Sequence, residues 1–147
     1  MISMIGLVEG LHERFSTIDV TVEGRQLTFV DGRNMQIGEP RSVQAFPFLY
    51  TLMDRGEDAS AGNVMADRDW LIHRVVFKFL PGNTSDTTEL QLLTIRDALP
   101  AAVYADRRLN NRLVRGYATI DRVEAGYDII GDTLHRVLDF YSNTLRK

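Results

Sequence analysis

Imidazole, carboxylate and hydroxyl groups are the side chains with which this chain of 147 residues could do chemistry. Its three histidines are His12, His73 and His135, and no two of them have the i, i+4 spacing of a metal site on a helix. His73 falls on the mostly apolar side of a predicted strand, a position that favours a packed, hydrogen-bonded imidazole over a catalytic base. His12 and His135 are predicted to lie at the surface. The histidines therefore predict no metal site.

Motifs for activated nucleophiles and for phosphate binding are also missing. The sequence contains no GxSxG, GxGxxG, GxxxxGK(S/T) or HExxH pattern, and it has no cysteine. Asp67 and Asp69 stand two apart but lack a third ordered oxygen donor, so a solvated loop is favoured over a cation site. We predict no catalytic residue, no cofactor and no metal, and hence no enzyme. The alternative is a small enzyme or ligand-binding domain built from His73, Asp69 and nearby loop acids.

Positive charge is concentrated in one segment, and a polar segment carries acids that could complement it. The basic residues are Arg107, Arg108, Arg112 and Arg115. The acids are Asp54, Glu57 and Asp58. No aromatic residue is interleaved with the arginines, so stacking on single-stranded nucleic acid is not indicated. The arginines are either a plain solvated face or a binding surface, and as a binding surface a protein interface is preferred to contact with DNA phosphates. In a ring, the arginines of one subunit would meet the acids of its neighbour.

Apolar spacing in the first half of the chain predicts a helix, a hairpin and a further strand. Residues Ile5–Phe15 carry apolar side chains at helical intervals. Thr17–Glu23 alternates between apolar and polar residues, and Gln26–Val30 returns as the second strand of a hairpin. Residues 33–45 predict a loop or an irregular edge, after which Phe46–Met53 alternates again as a strand.

The second half combines long strands with one clear helix. Strand, helix and strand patterns follow in that order at Asp69–Leu80, Asp86–Leu99 and Leu113–Glu124. Pro100 is predicted to break or kink the helix. The apolar residues of Thr133–Leu145 fit either a helix or a strand, and periodicity alone does not decide. The polar segment Asp54–Arg68 has no periodicity, and its length predicts a mobile loop.

These elements predict an α+β fold of one domain, residues 1–147, in which a mixed, mainly antiparallel sheet is flanked by two main helices. Trp70, Val75, Phe77 and Phe79 are predicted in or beside its core. The formal net charge of −3 indicates no general attraction to nucleic acid or to an anionic membrane. No apolar run reaches the roughly 18 residues of a membrane-spanning helix.

The order of these elements resembles that of a family of small phage proteins. The likeness is carried by the helix Ile5–Phe15, the strand Pro47–Tyr50, the strand ending in Phe77-Lys78-Phe79, the helix Glu89–Leu99, and the strand pair Val114–Val123 and Leu134–Tyr141. In this order the chain resembles the tail terminator (tail completion) proteins of long-tailed bacteriophages and related neck components. The likeness covers nearly the whole chain, and it favours a strand for Thr133–Leu145.

Such a resemblance implies a structural protein of the virion. Its subunits are expected to form a hexameric ring that caps the tail tube, ends its polymerisation and provides the surface for head joining. The implied partners are further copies of the chain, the tail tube protein and a head-completion protein, with DNA only passing through the lumen and no membrane. The implied location is the tail and neck of the virion, assembled in the host cytoplasm. Another head–tail connector or head-completion subunit is the alternative within this class.

Overall fold

The computed structural model describes residues 3–53, 71–79, 85–114 and 116–145, apart from the side chains of residues 85, 86 and 145. The predicted mobile loop Asp54–Arg68, Trp70 and Arg115 lie outside the described residues. In the described part, two helices and seven strands form one α+β domain with a mainly antiparallel sheet of five strands, which confirms the predicted fold class. Neither of these two helices is long and apolar enough to cross a membrane.

The first helix buries one face, as its apolar spacing predicts. Helix α1 spans Met4–Phe15. The hydroxyl of Ser3 accepts a hydrogen bond from the Gly6 N–H at 3.0 Å, which satisfies one of the free donors of the first turn. Leu7 and Leu11, one turn apart on the inner face, are each 1% exposed.

The predicted hairpin follows directly after α1. Strand β1 spans Asp19–Val22, strand β2 spans Arg25–Thr28, and the two pair in antiparallel register. The two residues between them, Glu23 and Gly24, have φ angles of 49° and 79°. Two successive left-handed residues form the tight turn whose twist matches that of the flanking strands. Leu27 is fully buried, so this small hairpin joins the core rather than standing apart from it.

Five strands form the main sheet. Their ranges are β3 Met35–Ile37, β4 Phe48–Met53, β5 Leu71–Phe77, β6 Tyr117–Ile130 and β7 Thr133–Leu145. They stand in the order β3, β4, β5, β7, β6, and only β3 and β4 run parallel. The short strand β3 is an edge inside the stretch that the sequence predicts as irregular or edge. Because β7 lies between β5 and β6, β7 is an inner strand, and β6 is at the edge of the sheet that the described strands form.

The strand assignment of Thr133–Leu145 is confirmed, whereas its partner strand lies later in the chain than predicted. Strand β6 covers Tyr117–Ile130, and the prediction covered Leu113–Glu124. Positive φ angles turn the chain just before β6, at Leu109, Asn110 and Asn111. From residue 122 to residue 130 each position of β6 pairs with β7, so the backbone ladder extends the strand beyond the apolar pattern.

Helix α2, Ser85–Tyr104, continues through Pro100. The predicted end at Leu99 is therefore wrong. A proline inside a helix costs about 3 kcal/mol, because it removes one intrahelical hydrogen bond and crowds the preceding turn. The turn that follows buries Ala102 and Val103, and burial of one valine side chain contributes about 1.5–3 kcal/mol. Packing of this last turn thus offsets most of the cost of the proline.

Apolar side chains pack on both faces of the main sheet. One cluster lies on the side of α1, α2 and the β1–β2 hairpin, and its largest members include Phe15, Leu27, Phe77, Ile95 and Phe140. A smaller cluster lies on the opposite face and includes Val43, Phe48, Tyr50, Val76 and Val137. The irregular segment 38–47 supplies Val43, so a stretch with no regular structure covers the second face.

The predicted core residues of β5 are confirmed where the structure describes them. Val75 and Phe77 are fully buried in the cluster under the helices. Phe79, just beyond the strand, is half-buried and packs edge-on against Tyr127, with 5.4 Å between the ring centroids.

Replacing Phe77 with alanine should lower the free energy of unfolding by about 3–5 kcal/mol, because the whole ring is buried. Urea unfolding followed by far-UV circular dichroism measures this change. Leu90→Ala, on the exposed side of α2, is the matched control and should change stability by less than about 0.5 kcal/mol. A loss below about 1 kcal/mol for Phe77→Ala would contradict the packing described for β5.

Candidate functional site

All three histidines are buried, although the sequence predicts two of them at the surface. His73 is fully buried, which confirms its prediction. His12 and His135 are only 7% and 4% exposed, so their surface predictions are wrong. His12 lies on the inner side of α1, where the hydroxyl of Thr51 gives it a polar partner. His135 on β7 lies against Phe46, with 5.6 Å between the ring centroids.

Four buried polar side chains form one continuous hydrogen-bonded row. His12 Nε2 lies 2.7 Å from Thr51 Oγ1, which lies 2.8 Å from His73 Nδ1. On its other side, His73 Nε2 lies 2.7 Å from Ser142 Oγ. We call these four residues the His–Thr–His–Ser chain. It joins α1 to β4, β5 and β7 through the interior of the domain.

Strand register explains why these residues meet. Thr51 on β4 is directly opposite His73 on β5. Position 73 is in turn opposite Phe140 on β7, which places Ser142 on the neighbouring diagonal of the same face. Phe15 of α1 packs edge-on against the His73 ring at 4.9 Å between centroids, so an aromatic wall closes the row from the helix side.

The single hydroxyl proton of Thr51 fixes which atoms donate and which accept along the whole His–Thr–His–Ser chain. A hydroxyl donates one hydrogen bond, so Thr51 donates to one imidazole and accepts from the other. If His12 donates from Nε2, Thr51 donates to Nδ1 of His73, and His73 then donates from Nε2 to Ser142. In the opposite order, every donor and acceptor is reversed. Two neutral histidines satisfy the chain in either direction.

Burial keeps both imidazoles of the chain neutral. It lowers the pKa of His12 from its ordinary value of 6.5 to about 4, against a small opposing effect of Asp31. It lowers the pKa of His73 from 6.5 to about 3, and the nearby His12 acts in the same direction. Protonation of either ring would place a charge in an apolar layer that offers it no carboxylate partner within hydrogen-bonding distance among the described residues.

The His–Thr–His–Ser chain contains a hydroxyl, an imidazole and a third group in the order of a nucleophile, a base and an orienting group, but its burial argues against catalysis. Ser142, His73 and Thr51 occupy the places of the hydroxyl, the imidazole and the third group of such a site. Their exposures are 1%, 0% and 2%, so a substrate carbonyl has no path to the hydroxyl. The third group is also a neutral hydroxyl, which cannot stabilise an imidazolium as a carboxylate does. The geometry suits a structural network that fixes one packing of α1 on the sheet.

A second polar cluster lies on the opposite face of the sheet and is centred on Arg74. Its guanidinium donates two hydrogen bonds to Asp139, from Nε at 2.7 Å and from Nη2 at 2.9 Å. A further ion pair joins it to Asp128, and Nη1 also reaches the hydroxyl of Tyr50. The hydrogen bond to Asp139 is the main reason why the pKa of Arg74 is raised above its ordinary value. This cluster ties β4, β5, β6 and β7 together, and the acids around Arg74 occupy its donors.

Of the predicted basic interface residues, Arg112 is already paired inside the chain. Its guanidinium donates two hydrogen bonds to the carboxylate of Glu13 on α1, at 2.7 and 2.8 Å. The bond to Arg112 also lowers the pKa of Glu13. This pair links the segment after α2 back to the first helix, a role that sequence spacing gives no sign of.

Arg107 and Arg108 stack on two tyrosines, contacts that the spacing of the basic segment does not reveal. The Arg107 guanidinium lies 5.2 Å from the centroid of the Tyr104 ring and 5.1 Å from that of Tyr117. Arg108 lies 5.6 Å from the Tyr117 centroid. The two tyrosines stand outside the basic run in sequence, and the turn after α2 brings them beside it. Arg107 also donates from Nε to the carbonyl of Ala118.

The other predicted site residues lie outside the described part of the chain. They are the loop acids Asp54, Glu57 and Asp58. Asp67 and Asp69, for which the sequence favours a solvated loop, also lie outside the described part. Among the residues that are described, no group of three or more histidines, aspartates and glutamates is arranged to hold a metal ion.

Comparisons with known proteins add no relative to this description. No protein-family model matches the sequence, and no curated protein or solved structure matches the chain. A proposal for function therefore rests on the residues and on the fold.

Acidification from pH 7 to pH 5 should destabilise the domain through its buried histidines. In the unfolded chain each imidazole binds a proton near pH 6.5, whereas His12 and His73 in the folded chain remain neutral down to about pH 4 and about pH 3. The unfolded state therefore binds more protons, and stability is complete above about pH 6.5 and falls as the pH falls. Each histidine should contribute a slope of about 1.4 kcal/mol per pH unit, measured by urea unfolding at several pH values.

The variant His12→Gln tests whether the His–Thr–His–Ser chain is the source of this dependence of stability on pH. Glutamine does not titrate, and its amide still offers a donor and an acceptor near the hydroxyl of Thr51. The slope between pH 6 and pH 5 should fall by about 1.4 kcal/mol per pH unit, the contribution of one proton. A slope that stays as steep as in the unsubstituted protein would show that His12 is not the titrating group.

Proposed function

We propose that this chain is a structural subunit of a phage neck, a tail terminator that forms a ring on the finished tail tube. The observation that carries the proposal is the order of elements along the chain. A first helix, a small hairpin, central strands, one long helix and a final long hairpin follow one another, as in the family that the sequence resembles. The ring would end tube polymerisation and provide the surface on which the head joins.

Among the described residues, the two main polar clusters are closed to a substrate, which supports assembly over catalysis. The enzyme alternative relies on His73 as a base, and that imidazole is fully buried in a satisfied hydrogen-bonded row. In the described part of the chain, the other strongly polar cluster is closed around Arg74 by carboxylates. Neither cluster presents a free nucleophile to solvent, whereas a ring subunit needs none.

The ring contact is proposed at the basic segment of one subunit and the acidic loop of the next. Arg112 already has Glu13 as its partner, so Arg107 and Arg108 are the residues that we assign to this contact. Arg108 is exposed. Its proposed complement is the set of loop acids Asp54, Glu57 and Asp58 of the neighbouring subunit. A contact between two different surfaces closes into a ring when the rotation between neighbours is right.

Light scattering should detect a closed assembly near six subunits, either at high protein concentration or after addition of purified tail tubes. In the presence of the protein, tubes should also stop elongating. A chain that stays monomeric under both conditions and leaves tube length unchanged would refute the terminator proposal. A ring that forms but binds no tube would favour another neck component instead.

The substitution Arg108→Glu should weaken the ring while leaving the subunit folded, because the side chain is exposed. Exposed ion pairs contribute roughly 0–1 kcal/mol each, so the dissociation constant should rise about fivefold, and more at low salt than at high salt. Arg96→Glu is the matched control, since Arg96 is also exposed and lies on α2 away from the basic segment. Equal effects of the two substitutions would show that total charge, rather than this contact, controls assembly.

A further inference from the structure

Strand β6 is a long edge that is covered over only part of its length. In the described part of the chain it has a neighbouring strand on one side, β7. Near its beginning, the outward N–H of Ala118 donates to the carbonyl of Arg107 at 2.9 Å. The hydroxyl of Tyr104 then accepts from the Ile120 N–H at 3.3 Å and lies 3.2 Å from the Ile120 carbonyl. The segment after α2 and one tyrosine therefore satisfy the first outward groups of the strand.

A change of register uncovers the rest of the edge. The pairing with β7 shifts between Ile120 and Arg122, so the outward groups before the shift are on even-numbered residues and those after it are on odd-numbered residues. Val123, Ala125 and Tyr127 consequently direct their N–H and carbonyl groups away from β7. Among the described residues no strand pairs with them on that side. A long open edge of this kind is a template for another strand, and proteins normally protect it.

We propose that this open edge pairs with the same edge of a second copy of the chain, antiparallel, about a two-fold axis at Ala125. Val123 of each copy would then lie opposite Tyr127 of the other. The two copies of Ala125 would face each other on the axis, and these three pairs would form about six backbone hydrogen bonds, two for each pair of facing residues. Ala125 is exposed, and Tyr127 is 57% exposed, so both are available to a partner strand.

Charge selects this register over its neighbours. On the face that carries Tyr141, pairing centred on Ala125 sets Arg122 opposite Asp128 and sets Glu124 opposite Gly126. With the axis moved to Gly126, Glu124 would lie opposite Asp128. With the axis moved to Glu124, it would lie opposite the Glu124 of the second copy. Like charges directly opposite each other destabilise a strand pair, whereas opposite charges stabilise it. Tyr104 adds a steric limit, because it already occupies the edge at Ile120.

This contact goes beyond the proposed ring. A contact between identical surfaces closes after two copies, so it cannot itself build a ring of six. It would instead join free subunits in pairs and cover the open edge of each. Few residues meet across the axis, so the buried area should fall below about 1,200 Å², the range of weak and transient contacts. The pair should therefore form reversibly and respond to protein concentration.

Disulfide trapping provides a direct test, because the chain has no cysteine of its own. In Ala125→Cys the two thiols would face each other across the axis at a Cα separation of about 5.5 Å, which a disulfide spans. Mild oxidation should convert this variant to a covalent dimer. Ser16→Cys is the control, since it is exposed at the end of α1 and lies outside β6, and it should remain monomeric. Failure of Ala125→Cys to cross-link, or equal cross-linking of the control, would overturn the proposal.

Two further variants test the register and the hydrogen bonds. A mixture of Val123→Cys and Tyr127→Cys chains should form a mixed dimer, whereas neither variant should cross-link alone; the reverse pattern would refute the axis at Ala125. Ala125→Pro removes an outward N–H without touching the pairing with β7, so the folded variant should sediment as a monomer where the parent dimerises. Persistence of the dimer in Ala125→Pro would also refute strand pairing.

The outcomes for the pair and for the ring are separate. An assembly near six subunits that gives no cross-link through Ala125→Cys would leave the ring standing and remove the two-fold contact. A specific cross-linked dimer that never forms a larger assembly, even with tail tubes, would keep the two-fold contact and remove the terminator function.

Discussion

Thr51 has one hydroxyl proton and two imidazole neighbours, and the packing of the first helix on the sheet depends on this hydroxyl bonding to both rings. The distances of 2.7 and 2.8 Å leave no room for a water molecule between the hydroxyl and either ring. Removing a single member would leave a buried polar group without a partner, at a cost of about 1–3 kcal/mol. The His–Thr–His–Ser chain therefore specifies one position of α1 over β4 and β5, whereas apolar contact alone would tolerate several positions of the helix.

Strand β5 organises both faces of the sheet with two consecutive residues. His73 points into the layer under the helices, and Arg74 points to the opposite face, as the alternation of a strand requires. Each is the centre of a hydrogen-bonded network that reaches neighbouring strands. Because β5 lies in the middle of the sheet, both networks span strands that are distant in sequence. A similar link holds α2, where Arg136 of β7 donates to the Glu89 carboxylate at 2.7 Å.

The regular elements of this fold could be predicted from the sequence because their signals are local. Helix α1 and the β1–β2 hairpin each show one clear period over a short stretch, and the turn between β1 and β2 contains a glycine at a left-handed position. Helix α2 was predicted in its body but not at its end, because the burial of Val103 is a tertiary property that a local rule for proline ignores.

The polar networks could not be predicted because their members are far apart along the chain. His12 and Thr51 are separated by 39 residues, and His73 and Ser142 by 69. A histidine among charged residues of a helix is typical of a surface position, and only the facing hydroxyl makes its burial favourable. Likewise, Arg112 reaches Glu13 across 99 residues, so nothing in the basic segment marks it as already paired.

The shared hydroxyl of Thr51 also constrains how this protein can change during evolution. Exchange of one member of the His–Thr–His–Ser chain for an apolar residue leaves its neighbour without a hydrogen-bond partner. Exchange of the whole set for apolar side chains of similar volume would leave the stability of the fold nearly unchanged. Single substitutions at these positions should be removed by selection until compensating ones arrive. The four positions would then pass from polar to apolar together, so distant relatives would carry either the complete row or none of it.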